Sequence, residues 1–219
     1  MTFGDLEVTV TDQAAPARPV SEEWLRDART ARALSLATLV WLGVESGLGI
    51  TAGFGAHSVA LIGWGTSSLV EALASLIVIW RFTGSRTCSA HAEARAGRAL
   101  AISFWLLAPY LALHVAYDLW MGHRAAPSAL GAAVTAVSLV SMPLLGMAKR
   151  RLGARLHSAA TSGEGTQNLL CALQAAGVLA GIALNDIGCW WADPAVAVLL
   201  AAAAVHEGRK AWHGHACRH

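Results

Sequence analysis

The sequence predicts an all-α membrane protein of six transmembrane helices arranged as a 3+3 inverted-topology repeat. Three observations carry this expectation. The 219 residues are 55% apolar and only 14% charged, against roughly 25% charged in a soluble domain. Six apolar stretches punctuate the chain, and every Lys and Arg except Arg124 falls in alternate connections between them. Two of the stretches also open on related sequences one hundred residues apart.

The stretches run at approximately 33–52, 58–80, 99–121, 129–148, 158–185 and 187–205. Most reach the roughly 20 residues that cross about 30 Å of hydrocarbon. The fifth opens on a polar run from Ser162 to Gln167, and the sixth is short and almost abuts it. Before the first stretch stand Arg18, Arg26, Arg29 and Arg32, and between the second and third stand Arg81, Arg86, Arg95 and Arg98. Lys149, Arg150, Arg151 and Arg155 separate the fourth from the fifth, and Arg209, Lys210 and Arg218 follow the sixth. Cytoplasmic loops carry the excess of Lys and Arg in membrane proteins. The pattern therefore predicts cytoplasmic termini and an even number of spans, as expected for a multi-pass protein of the plasma membrane. A four-helix reading would strand one basic cluster outside.

Three segments follow: a cytoplasmic N-terminal stretch 1–30, a six-helix domain 31–208 and a tail 209–219. The first thirty residues include Asp5, Glu7, Asp12, Glu22, Glu23 and Asp27, with neither basic start nor apolar core, so no cleavable signal peptide is expected. Cys88 and Cys217 are predicted to be cytoplasmic, Cys171 within a helix and Cys189 near the outer face. Thiols scattered in this way form no disulfide framework.

Ser58–Leu73, SVALIGWGTSSLVEAL, and Ser158–Leu173, SAATSGEGTQNLLCAL, are identical at eight of sixteen positions, including an ungapped Gly-x-Gly-Thr. They open the second and the fifth spans, three apart in order, so the two segments cross in opposite directions. That is the mark of inverted repeats in secondary transporters, whose substrate site lies near the midplane between the halves. Small residues also mark ordinary helix packing in membranes, which is the plainer explanation of the match.

Within the repeat, Ser67 and Glu71 are four apart, as are Gln167 and Cys171. Each pair therefore shares a helical face. Counted from the cytoplasmic ends, Glu71 and Gln167 each lie about 15 Å deep, and Ser67 and Cys171 about 21 Å. A carboxylate in hydrocarbon needs a partner, a proton or water. A divalent cation is one such partner, because carboxylate and thiolate suit zinc. A protonated Glu71 bonded to Ser67 or Gln167, with Cys171 as a small apolar filler, is the alternative. Glu164, about 10 Å deep, is a further candidate for the same cavity. Glu45, His114 and Asp118 are further ionisable residues inside spans. The tail alternates His213, His215, Cys217 and His219, ligand types that collect metal when clustered.

These residues resemble the transmembrane domain of the cation diffusion facilitator family, over roughly Arg32 to Trp212. The most specific pieces are Gly177–Gly181 through Trp190-Trp191-Ala192-Asp193-Pro194 to Glu207-Gly208-Arg209, together with Ser58–Ile62 and Ser67–Glu71. Ser141-Met142-Pro143-Leu144-Leu145 before a basic run looks like a short subgroup lacking the C-terminal cytoplasmic domain. The resemblance implies an ion held between helices two and five by two ligands from each. Matched residue by residue, these are Ser67, Glu71, Gln167 and Cys171, so Ser67 and Gln167 stand where the family places an ionisable ligand. It also implies that any homodimer forms through membrane helices.

The expected function is export of a divalent, zinc-like cation by proton antiport. The partners would be the cation, protons and the lipid bilayer. A non-transporting relative that senses metal or supports a membrane partner is the alternative. No nucleophile–base motif, phosphate loop or zinc-protease helix suggests an enzyme, and nothing suggests nucleic-acid binding. The metal candidates are Glu71, Cys171, Ser67, Gln167 and Glu164, with no cofactor beyond the transported ion.

Overall fold

Ser21 opens the first helix by accepting a hydrogen bond from the Trp24 amide at 3.2 Å, which satisfies one of the free N–H groups of the first turn. The computed structural model describes residues 21–56, 59–122, 129–185 and 192–213. Six α-helices follow in order: α1 (Glu22–Ala56), α2 (Val59–Arg81), α3 (Ala90–Met121), α4 (Ala129–Leu156), α5 (Ala159–Asn185) and α6 (Ala192–His213), with a short 3-10 helix (Gly84–Cys88) between α2 and α3. Ser89 caps α3 through the Ala92 amide at 3.2 Å, and Ser158 caps α5 through the Thr161 amide at 3.1 Å.

Each apolar stretch holds one helix, and α1, α3, α4 and α6 overrun theirs at the basic end. α1 starts at Glu22 rather than near residue 33, and α4 continues through its basic run to Leu156. Hydropathy marks where lipid ends, whereas a helix ends where its backbone bonds find a cap. α4 ends because His157 turns to φ +50°, so that the Ser158 amide donates back to the Gly153 carbonyl at 2.8 Å. That left-handed position normally takes glycine. His157→Gly is therefore expected to stabilise the fold by about 1 kcal/mol, read as a melting point roughly 2–4 °C higher.

Among the described residues, three helices are by length and composition apolar enough to cross a membrane: α1 over Glu22–Thr51, α3 over Ala90–Met121 and α4 over Ala132–Leu156. The side chains are arranged inside out. Leu36, Val40, Val44 and Leu48 form an exposed stripe at four-residue spacing on α1, and Leu113 and Trp120 of α3 are 71% and 86% exposed. Meanwhile Ser35, Thr38, Glu45, Glu71, Lys149, Glu164 and Gln167 are all buried. Water as the outer solvent would favour the reverse; lipid favours this arrangement.

α1 packs along α2, α4 along α5, and α3 against α6; α1 also meets α4, and α2 meets α5, at the centre. Ala28 and Ala31 from the start of α1, Val78 and Phe82 from the end of α2, Ala96 early in α3, Leu152 and Leu156 late in α4 and Ala160 in α5 form one cluster. Successive helices therefore run antiparallel and gather their basic termini at one end. There the Arg81 Nε bonds Glu93 Oε2 at 2.7 Å, and Arg155 bonds Asp27 at 2.5 Å.

Two glycines set how closely the hairpins close. A Cβ on Gly65 would lie 2.9 Å from the Ser46 carbonyl oxygen and 2.8 Å from the Ile50 amide nitrogen. A Cβ on Gly165 would lie 2.7 Å from the Gly146 carbonyl oxygen and 2.9 Å from the Arg150 amide nitrogen. Each residue of the second set is one hundred positions after its counterpart in the first, so α1–α2 and α4–α5 dock at equivalent points.

Candidate cation site

Four helices supply a small polar cavity, of about 10 Å³, enough for roughly one water molecule. Glu45 enters from α1, Ser67, Ser68 and Glu71 from α2, Thr135 and Ser138 from α4, and Cys171 and Gln174 from α5. The glycine contacts put them there: close approach within each hairpin leaves the polar faces of α2 and α5 turned to the bundle centre. Ser67, Glu71 and Cys171 are each less than 10% exposed, as is Glu45.

The Trp41 indole Nε1 donates to Ser138 Oγ at 3.1 Å, and Ser138 Oγ donates to Glu45 Oε2 at 3.1 Å. Ser68 also hydrogen-bonds Glu45. On the other side the Cys171 thiol and the Glu71 carboxyl group are hydrogen-bonded, and the two glutamates are close enough to interact electrostatically. Two carboxyl groups, a thiol and several hydroxyls thus share one space shielded from solvent. Two uncompensated negative charges there would be costly, by several kcal/mol per ion. Such a cavity therefore favours a proton or a cation.

The structure brings Ser67, Glu71 and Cys171 together, as the spacing predicts, and places the other two candidates elsewhere. Gln167 does not line the cavity. It is buried, and neither atom of its amide has a hydrogen-bond partner. Glu164 lies nearer the basic end and is held there, its Oε1 accepting from Lys149 Nζ at 2.7 Å. Its Oε2 accepts from Ser35 Oγ at 2.6 Å. The reason is depth: Glu164 is seven residues before Cys171, about 10 Å along the helix, so a shared face does not become a shared cavity.

His114 stacks on Tyr110 at 6.1 Å, away from the cavity. The Asp118 side chain and residues 214–219 of the tail, with His215, Cys217 and His219, lie outside the described residues. Among the described residues no three His, Cys, Asp or Glu side chains converge as a ready metal cage. Thr135, Ser138 and Gln174 escape a search for ionisable residues. The signal that finds two of them is the repeat itself, since Thr135 and Ser138 stand one hundred residues after Ser35 and Thr38. No family model matches the chain, and no curated protein matches it.

Proposed function

We propose that the protein is a secondary transporter that exports a divalent, zinc-like cation in exchange for protons, through the cavity between α1, α2, α4 and α5. The observation that carries this reading is the pairing of Glu45 and Glu71 beside the Cys171 thiol in a buried cavity at the centre of a bundle with a lipid-suited exterior. In this reading all six helices span the plasma membrane, with the basic end and both termini in the cytoplasm, as the distribution of Lys and Arg supports. The equivalent docking of Gly65 and Gly165 supports two inverted halves, α1–α3 and α4–α6.

The chemistry follows from charge. An entering divalent ion takes the place of a proton on Glu71 and of the thiol proton of Cys171, since a metal ligand must be deprotonated. Reprotonation from the outer side then weakens both ligands and releases the ion. Carboxylate with thiolate favours zinc or a softer ion over magnesium. Rocking of one half against the other opens the cavity to each side in turn.

The test is flux of radioactive zinc in proteoliposomes with and without an imposed pH gradient. Uptake that follows the gradient and falls at least about tenfold in Glu71→Gln is expected. Gradient-independent leakage, or a Glu71→Gln protein as active as the wild type, would overturn the proposal. Zinc binding without flux would instead assign a sensing role.

A further inference from the structure

We propose that α1, α4 and α5 build a second cation-binding site between the cavity and the basic end, made by Glu164, Ser35 and Thr38 and filled in this conformation by the ammonium of Lys149. The Lys149 Nζ donates to Glu164 Oε1 at 2.7 Å and to Thr38 Oγ1 at 2.6 Å. Ser35 Oγ holds the other carboxylate oxygen at 2.6 Å. All four residues are 0% exposed. An ammonium and a metal ion place the same demand on their surroundings, a negative charge ringed by oxygens, and this pocket meets it.

Placement gives the site its meaning. Glu164, Gln167 and Cys171 share one face of α5, by spacings of three and four. On α1, Ser35, Thr38 and Glu45 share a face in the same way. The two faces thus carry polar groups from the Lys149 site to the Glu45–Glu71 cavity, about 10–15 Å apart along the helices. Between them lie Leu42 and Met142, which pack together with Cys171. Gln167, two per cent exposed and with its amide nitrogen and oxygen both unpartnered, stands at that level of α5. A buried amide that makes no hydrogen bond loses free energy in a resting structure, yet it is suited to a passing ion. Lys149 is in these terms a tethered cation that yields its seat as the transported ion moves from the cytoplasm to the cavity.

A buried ion pair is weak evidence for a stabilising role, because apolar replacements of both partners are often as stable. A site that must exchange one cation for another gives a reason to keep it. Carboxylate and hydroxyl donors are hard ligands, so magnesium and calcium are accepted here beside zinc. The cavity with its thiol, not this site, then selects the ion.

The inference rests on the transport reading only for its place on a path. Its test reads binding, so failure of one is distinct from failure of the other. Purified full-length protein carrying Glu45→Gln, Glu71→Gln and Cys171→Ala, which removes the ionisable ligands of the cavity, is melted in detergent with Mg2+, Ca2+ or Zn2+, alone and with Lys149→Met or Lys149→Met/Glu164→Gln added. With Lys149→Met the emptied site is expected to take up a free cation and raise the melting point saturably, by roughly 5–10 °C at a hundred times Kd. With Glu164→Gln as well, the rise should vanish. No rise in Lys149→Met, or an equal rise in both, overturns the site. Should Lys149→Met not purify, Lys149→Ala is prepared with butylammonium, an untethered copy of the lost group, or with butanol. Rescue of folded yield by the ammonium alone supports the site, whereas rescue by neither or by both overturns it.

Discussion

Gly165→Ala is expected to destabilise the fold by about 1–2 kcal/mol, although alanine is the better helix former. The added Cβ would lie 2.7 Å from the Gly146 carbonyl oxygen and 2.9 Å from the Arg150 amide nitrogen. Those are backbone atoms of α4 and cannot swing aside as a side-chain tip does. Relief requires α5 to move off α4, at a cost of roughly 1–3 kcal/mol for overpacking and against a helix-propensity gain of about 1 kcal/mol. Gly65→Ala should behave alike, because its Cβ would meet Ser46 and Ile50 backbone at 2.9 and 2.8 Å. Gly43→Ala is the control: nothing lies within 4 Å of its added Cβ, so only the propensity gain is left. Melting curves from tryptophan fluorescence in detergent should fall roughly 2–8 °C for the first two and rise slightly for the third. A Gly165→Ala protein that melts with the wild type would mean that the α4–α5 contact is looser than the structure has it.

This pair of glycines also marks what was legible in the sequence. Gly65 and Gly165 stand out there as members of the repeated segment, and the structure gives both the same task. The six helices were legible as apolar stretches because lipid demands a minimum length. Ser67, Glu71 and Cys171 were legible because three residues on two antiparallel helices can be placed by depth and by face alone.

Glu164 and Gln167 show where that reasoning stops. Both share the α5 face with Cys171, but the fate of Glu164 is set by Lys149, which sits on another helix. In the sequence Lys149 begins a run of three basic residues and reads as one more cytoplasmic charge. Its neighbours Arg150 and Arg151 are indeed exposed, while Lys149 is fully buried. Only the rotation of α4 against α1 and α5 separates them, and a lone basic run contains no record of that rotation. Glu45 was visible as a membrane carboxylate, yet its contact with Ser138 depends on the meeting of α1 with α4, which apolar length does not encode.

Removing the ammonium alone, by Lys149→Met, is expected to cost about 3–5 kcal/mol in cation-free buffer, because it leaves Glu164 charged, buried and uncompensated. The melting point should fall by roughly 6–20 °C. Glu164→Leu alone strands the ammonium in the same way and should cost a similar amount. The double variant Lys149→Met/Glu164→Leu leaves no charge behind, only the hydroxyls of Ser35 and Thr38. Ser35 Oγ lies 2.9 Å from the Ala31 carbonyl, which takes its proton once the carboxylate is gone, and Thr38 Oγ1 donates to the Leu34 carbonyl at 3.0 Å, so neither hydroxyl is orphaned. The double variant should therefore melt within a few degrees of the wild type, well above either single variant. Strong non-additivity of that sign identifies a pair whose members tolerate burial only because each answers the other's charge. Simple addition of the two losses would show instead that Lys149 and Glu164 contribute independently through packing, with no mutual compensation. The pair is then kept for something other than stability, and exchange of its ammonium for a free cation is a role that burial of matched charge makes available.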